Sequence, residues 1–152
     1  STAIICSTNG TKAIKKAQRA NVLFISSLVN GHMVANKIHN LQDSSSILLI
    51  CSGNDNRFSI EDFVGAGQIV NHLMSKDQYE LSDSAKLAQK TYQYYLNTNF
   101  KDLLTSETAH LLYSLGFEKS VHYVLDHFEK VNIVPRLDGE KIIIDSSSPE
   151  KF

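Results

Sequence analysis

A short apolar run, a polar loop and a helical pattern follow one another three times within the first 75 residues. The apolar runs are Ala3–Cys6, Val22–Ile25 and Ile47–Cys51, each the length of a buried strand. Strands that alternate with helices predict an α/β domain, a three-layer sandwich around a mostly parallel sheet. If the three runs are neighbouring strands, all three loops open on one edge of that sheet, the edge where open α/β folds bind ligands.

The chemistry of these loops differs. The first reads Ser7-Thr8-Asn9-Gly10-Thr11 and runs straight into a helix. The unpaired N–H groups and positive dipole end of that helix suit an anion, so Thr8, Asn9, Gly10 and Thr11 are candidate binding residues for a phosphate or sulfonate. A plain strand-to-helix turn capped by Thr11 reads equally well from spacing. The second Gly and the Lys-Ser/Thr pair of a Walker A loop are absent. In the second loop, Ser26 to Asn30, Asn30 is either a ligand contact or the cap of its own helix.

The third loop, Ser52-Gly53-Asn54-Asp55-Asn56-Arg57-Phe58-Ser59-Ile60-Glu61-Asp62, is the richest. Arg57 offers a fork for an anionic oxygen, and Asp55, Glu61 and Asp62 offer hard oxygen ligands of the kind Mg²⁺ takes. Acidic residues in a first turn also stabilise the helix dipole with no metal involved.

Net charge is −1, from 15 basic and 16 acidic side chains without basic clusters, so nothing here attracts nucleic acid electrostatically. No apolar run approaches the roughly 20 residues of a membrane span, and no signal peptide is visible, which predicts a cytoplasmic protein. Cys6 and Cys51 lack CxxC spacing and read as packed free thiols. The six histidines form no HExxH pattern, and Tyr92, Tyr94 and Tyr95 read as packing residues.

Further along, a helix from about Asn30 to Leu41 carries Met33, Val34, Ile38 and Leu41 as its apolar stripe. A helix capped by Ser59 would bury Phe63, Ala66, Gly67, Val70 and Leu73, its small residues packed on the sheet. Ser82 or Asp83 opens a helix to about Leu96; Ser106 opens another that Gly116 ends; a third runs from about Glu118 to Lys130. Asn132–Pro135, an Asp138-Gly139 turn and Lys141–Ile144 make a hairpin, before a Ser-rich tail.

At the same loops the sequence resembles the 2-phosphosulfolactate phosphatase family. Ser7-Thr8-Asn9-Gly10-Thr11-Lys12-Ala13 looks like that family's Thr-Thr-Asn-Gly-Thr-Arg-Ala segment. Ser27 with Asn30 matches too, as does Cys51-Ser52-Gly53 leading into Phe58-Ser59-Ile60-Glu61-Asp62 and on to Ala66-Gly67. Ser106, Leu115-Gly116-Phe117 and Ile133-Val134-Pro135 echo it more weakly.

The resemblance implies Mg²⁺-dependent hydrolysis of a small anionic substrate, 2-phosphosulfolactate or a similar phosphorylated hydroxy acid, a reaction of coenzyme M biosynthesis. Glu61 and Asp62 would be the catalytic, metal-holding pair. Thr8, Asn9, Gly10, Thr11, Asn30, Gly53, Arg57 and Ser59 would bind substrate. Family members usually begin with a further α/β segment bearing an Asp-Val-Leu-Arg-Ala-type motif, so residues 1–152 read as one phosphatase-like domain, the C-terminal part of a longer protein. A sheet edge exposed in that way would favour a homo-oligomer. Two features depart from the pattern: Ser120 stands where many relatives have Asp, and Asn54-Asp55-Asn56 lacks the usual glycines. A non-catalytic anion-binding module is the alternative, and a nucleotide-dependent oxidoreductase is disfavoured by the missing GxGxxG.

Overall fold

The computed structural model describes residues 9–41 and 46–145. Within them six α-helices and one hairpin follow in order: α1 (Gly10–Ala17), α2 (Gly31–Asn40), α3 (Ile60–Met74), α4 (Asp83–Asn97), α5 (Glu107–Ser114), α6 (Glu118–Asp126), β1 (Pro135–Asp138) and β2 (Lys141–Ile144). A 3-10 turn, Lys101–Thr105, joins α4 to α5. The fold therefore mixes helix and sheet, as expected.

Helix ends obey local chemistry closely. Ser59, Ser82 and Ser106 each stand in extended backbone and accept an N–H from three residues on, at Asp62, Ala85 and Ala109. At the other end, α4 and α5 both close with the paired bonds of a Schellman motif. Asn99 donates to Leu96 O and Phe100 to Tyr95 O; Gly116 donates to Tyr113 O and Phe117 to Leu112 O. The left-handed residue is Asn99 in one case, at φ 52°, and Gly116 in the other, at φ 78°.

Helix α3 is the spine, buried on two sides. Toward α4, Val64 packs with Leu28, Tyr92, Phe100 and Leu103. Toward α2, Ile69 and Leu73 pack with Val34, Ala35 and Val134. Each such side chain removed from water contributes roughly 1.5–3 kcal/mol. The expected stripe was too narrow: Phe63 and Ala66 are half-buried, while Val64, Gln68 and Ile69 are buried. Gly67 does permit a close approach, but to α4 rather than to a sheet. A Cβ there would sit 2.0 Å from the carbonyl oxygen of Ala88.

Polar groups join this interior. Gln68, fully buried, donates from Nε2 to Leu28 O and to Glu129 Oε1. The same Glu129 oxygen accepts from His72 Nε2 at 2.6 Å and from Tyr92 OH at 3.4 Å. Burial alone would raise the Glu129 carboxyl, but the hydrogen bonds from His72 and Gln68, with the charge of His72 and His32, hold it below the ordinary carboxylate range. Tyr92 is pushed strongly upward, by burial first and by Glu129 second.

The strand half departs from expectation. Among the described residues the only ladder is antiparallel, Pro135 opposite Ile144 through Asp138 opposite Lys141, around the two-residue turn Gly139-Glu140. The first strand of this hairpin lies three residues later than its apolar pattern suggested. Val22–Ile25 runs beside β1, but antiparallel: Ile25 N donates to Pro135 O and Leu137 N to Leu23 O. Among the described residues Ile47–Cys51 joins no ladder; Leu49 packs inward against the α2 side of the core, while Leu48 is 79% and Ile50 50% exposed. A strand exists only through its neighbours. The third expected partner, Ala3–Cys6, lies outside the described residues, as do Thr8, Cys6 and the polar break at 42–45.

Two smaller expectations also change. Leu41 is exposed, and α6 stops at Asp126 rather than Lys130. Cys51 is free as expected, but exposed rather than packed.

Candidate active site

The third loop folds on itself before α3 begins. Asn54 N donates to Arg57 O and Arg57 N to Asn54 O, both at 3.0 Å, enclosing Asp55 and Asn56 at φ 51° and 60°. Two left-handed central residues make this a tight turn of the I′ kind, which Asn and Asp tolerate where glycine is more usual. Gly53 precedes it at φ 73°, and a Cβ there would meet Arg57 O at 2.7 Å. Only glycine fits.

This turn brings Gly53 onto the start of α3. Asp62 Oδ2 accepts from Gly53 N at 2.7 Å and from Ser52 Oγ at 3.0 Å. Asp62 Oδ1 has no hydrogen-bond partner among the described residues. The neighbouring carboxylate, Glu61, accepts from Ser59 Oγ at 2.9 Å, from Thr108 Oγ1 at 3.3 Å and from Ser106 Oγ. Both carboxylates are half-buried. A hollow of about 150 Å³ lies beside Glu61, lined also by Asn54, Phe58, Ser59, Ile60, Glu107 and Thr108.

The first loop reaches the same place. Asn9 Oδ1 accepts from Asp55 N at 3.3 Å, so the start of α1 and the turn of the third loop are in contact. Asn9 precedes Gly10 without a side-chain capping bond, and Thr11 lies inside α1 rather than at its cap. Arg57 extends to Glu107 at 3.1 Å, with both side chains mostly exposed.

Asn30 is engaged elsewhere. Its Oδ1 accepts from Ser27 N and Ser27 Oγ, and its Nδ2 donates to Ile25 O and Ile133 O. It is 4% exposed and makes no side-chain capping bond to α2. Its observed work is to tie the second loop to the segment before β1. Ser59 and Gly53 likewise direct their donors to the two carboxylates. Cys51 adjoins the site, but loss of solvation around its sulfur first and the charge of Asp62 second push its thiol up, which disfavours a nucleophilic thiolate.

The first turn of α5 was not among the expected site residues. Ser106 was legible as a helix cap, but nothing in spacing shows that it also meets Glu61, 45 residues earlier. Glu107 and Thr108 carried no signal beyond following that cap. Among the described residues no three His, Cys, Asp or Glu side chains are grouped to hold a metal ion, and no helix is long and apolar enough to cross a membrane. Hard oxygen donors are what the site does supply.

The family model described as 2-phosphosulpholactate phosphatase matches residues 1–140. A protein of Carboxydothermus hydrogenoformans named a probable 2-phosphosulfolactate phosphatase is 36% identical over 149 residues, 96% of this chain and 60% of the relative. Proteins with the same name from Clostridium beijerinckii and Thermotoga petrophila are 32% identical over 144 residues and 35% identical over 122. They are covered over 58% and 51% of their lengths, against 93% and 80% of this chain. The chain thus spans at most about 60% of the length of these relatives. With a family model spanning both carboxylates, the turn before them and the loop that touches it, the chain belongs to the 2-phosphosulpholactate phosphatase family.

Proposed function

We propose that this chain carries the metal- and anion-binding part of a Mg²⁺-dependent phosphatase that hydrolyses 2-phosphosulfolactate to sulfolactate and phosphate. The observation that carries the reading is the pair Glu61 and Asp62, adjacent carboxylates oriented by hydroxyl and amide donors and preceded by a turn whose Asp55 touches the loop that opens α1. The relatives' names support the substrate. In the whole protein, the extended segments 22–25 and 47–51 would join the parallel sheet of a three-layer sandwich.

The donor set fits magnesium. Mg²⁺ keeps several waters and is commonly held by one or two carboxylates together with substrate phosphate oxygens. Glu61 and Asp62 supply such a pair, and Asp62 Oδ1 is available for it. When bound there, the ion would offset phosphate charge and activate water.

The remaining chemistry falls to the chain. Backbone N–H groups at Gly10 and Thr11 start α1 and favour an anion. Arg57 can exchange the exposed Glu107 carboxylate for a phosphate, sulfonate or carboxylate oxygen at little cost, because an exposed pair contributes at most about 1 kcal/mol. Gly53 and Ser59 act through the carboxylates they hold. Water adds to phosphorus, the ester P–O bond breaks, and the released hydroxy acid takes up a proton.

The test is phosphate release from 2-phosphosulfolactate with Mg²⁺ and with chelator, on this chain and on its full-length parent. Asp62→Asn should abolish chelator-sensitive release and leave the fold intact, since an amide oxygen can still accept from Gly53 N. Near-normal turnover in that variant would overturn the role of Asp62.

A further inference from the structure

Glu61 receives two of its three hydrogen bonds from α5, an element far away in sequence. Ser106 Oγ is used twice: it accepts the Ala109 N–H at 3.1 Å, capping α5, and donates its proton to Glu61 Oε1. Thr108 donates to Glu61 Oε2, the oxygen that Ser59 also approaches. A carboxylate has only acceptor sites, so three hydroxyl protons arriving from two elements define its plane as well as its position. Between them stands Glu107, which holds Arg57. Three consecutive residues thus reach the site, and Thr108 lines the same hollow as Glu61.

Capping α5 requires only an acceptor or a tolerant backbone at position 106. Nothing in the cap calls for the proton that Ser106 gives to Glu61, and nothing in α5 calls for the Thr108 hydroxyl to turn toward α3. We infer that Ser106 and Thr108 are positioning residues that aim the Glu61 carboxylate into the hollow as a ready cation ligand. This rests on the metal-phosphatase reading above.

The two jobs of Ser106 can be separated. Glycine is nearly as good an N-cap as serine but has no hydroxyl, and Thr108→Val keeps shape while removing the donor. The probe is Mn²⁺, followed by electron paramagnetic resonance on the full-length protein, with phosphate release measured alongside. The Ser106→Gly, Thr108→Val double variant should bind Mn²⁺ about tenfold more weakly and lose kcat with little change in KM. Ser106→Thr with Thr108→Ser should restore both to within about twofold. Binding and turnover within twofold of the parent in the double variant would overturn the inference.

A second measurement keeps this distinct from the phosphatase reading. If the parent neither binds Mn²⁺ nor releases phosphate, that reading fails, and a double-mutant cycle between Ser106→Gly and Glu61→Ala in urea unfolding decides the contact. Coupling of at least about threefold in the unfolding constant supports it, and additive effects overturn it.

Discussion

Glu61 and Glu129 are each held by three side-chain donors, yet the donors differ in kind. Glu61 receives only hydroxyls, from Ser59, Ser106 and Thr108. Glu129 receives an amide, an imidazole and a phenol, from Gln68, His72 and Tyr92, all on one oxygen. Hydroxyls orient a carboxylate without neutralising it, whereas an imidazole can offset its charge. The same number of hydrogen bonds therefore gives an outward-acting anion beside a hollow in one region and an internally matched fastening in the other.

The contrast breaks most readily at Glu129. Glu129→Ala leaves the Gln68, His72 and Tyr92 donors without their acceptor and should cost about 3 kcal/mol in urea unfolding. If Glu61→Ala costs as much, the two carboxylates are structurally equivalent and the distinction fails. A smaller effect should appear with pH. Because the Glu129 carboxyl lies below its ordinary value of 4.5 in the folded protein, the unfolded chain binds more protons near that value. Stability from this group is complete above about pH 4.5 and is lost as pH falls through the folded value. Glu129→Gln should flatten that part of a stability–pH curve.

Glu61→Gln sharpens the comparison from the other side. Its amide oxygen can keep one of the two sets of bonds, that of Ser106 or those of Ser59 and Thr108, and its NH₂ can donate to the hydroxyls on the other side, so stability should change by about 1 kcal/mol or less while chelator-sensitive phosphate release is lost. The smallest effect belongs to the rim. Arg57→Ala should alter unfolding by no more than about 0.5 kcal/mol, because its ion pair is exposed, but should raise KM. Glu107→Gln, which frees Arg57, should lower KM. An unchanged KM in both would remove Arg57 from substrate binding.

Helix boundaries were largely legible because their signals are local. Ser59, Ser82 and Ser106 sit within three residues of the N–H groups they cap, and Gly116 within two of the helix it ends. Strands carry no such signal. The run Ile47–Cys51 has every property of a buried strand, yet pairing depends on other segments, and here Leu48 faces solvent. The site divides in the same way. Of the residues visible as a pattern, Gly53 does meet Asp62, and Asn9 meets the turn at Asp55. The contribution of α5 was not visible, because a hydroxyl at a helix cap looks the same whether or not a carboxylate waits across the fold. Asn30 shows the converse, a polar loop residue suited to a ligand whose partners are all internal.

The contact between Gly67 and Ala88 sets a limit on how this family member can change over time. The atom that a new Cβ would strike is a main-chain carbonyl, so no substitution at position 88 makes room for it. Most tight core contacts can drift by paired exchange, one side chain shrinking as its neighbour grows. Here that route is closed, and a larger residue at 67 requires α4 to move away from α3, drawing Tyr92 from Glu129. Gly65, on the same helix with open space around its α-carbon, carries no such restriction. Two glycines two positions apart thus mark a frozen position and a free one.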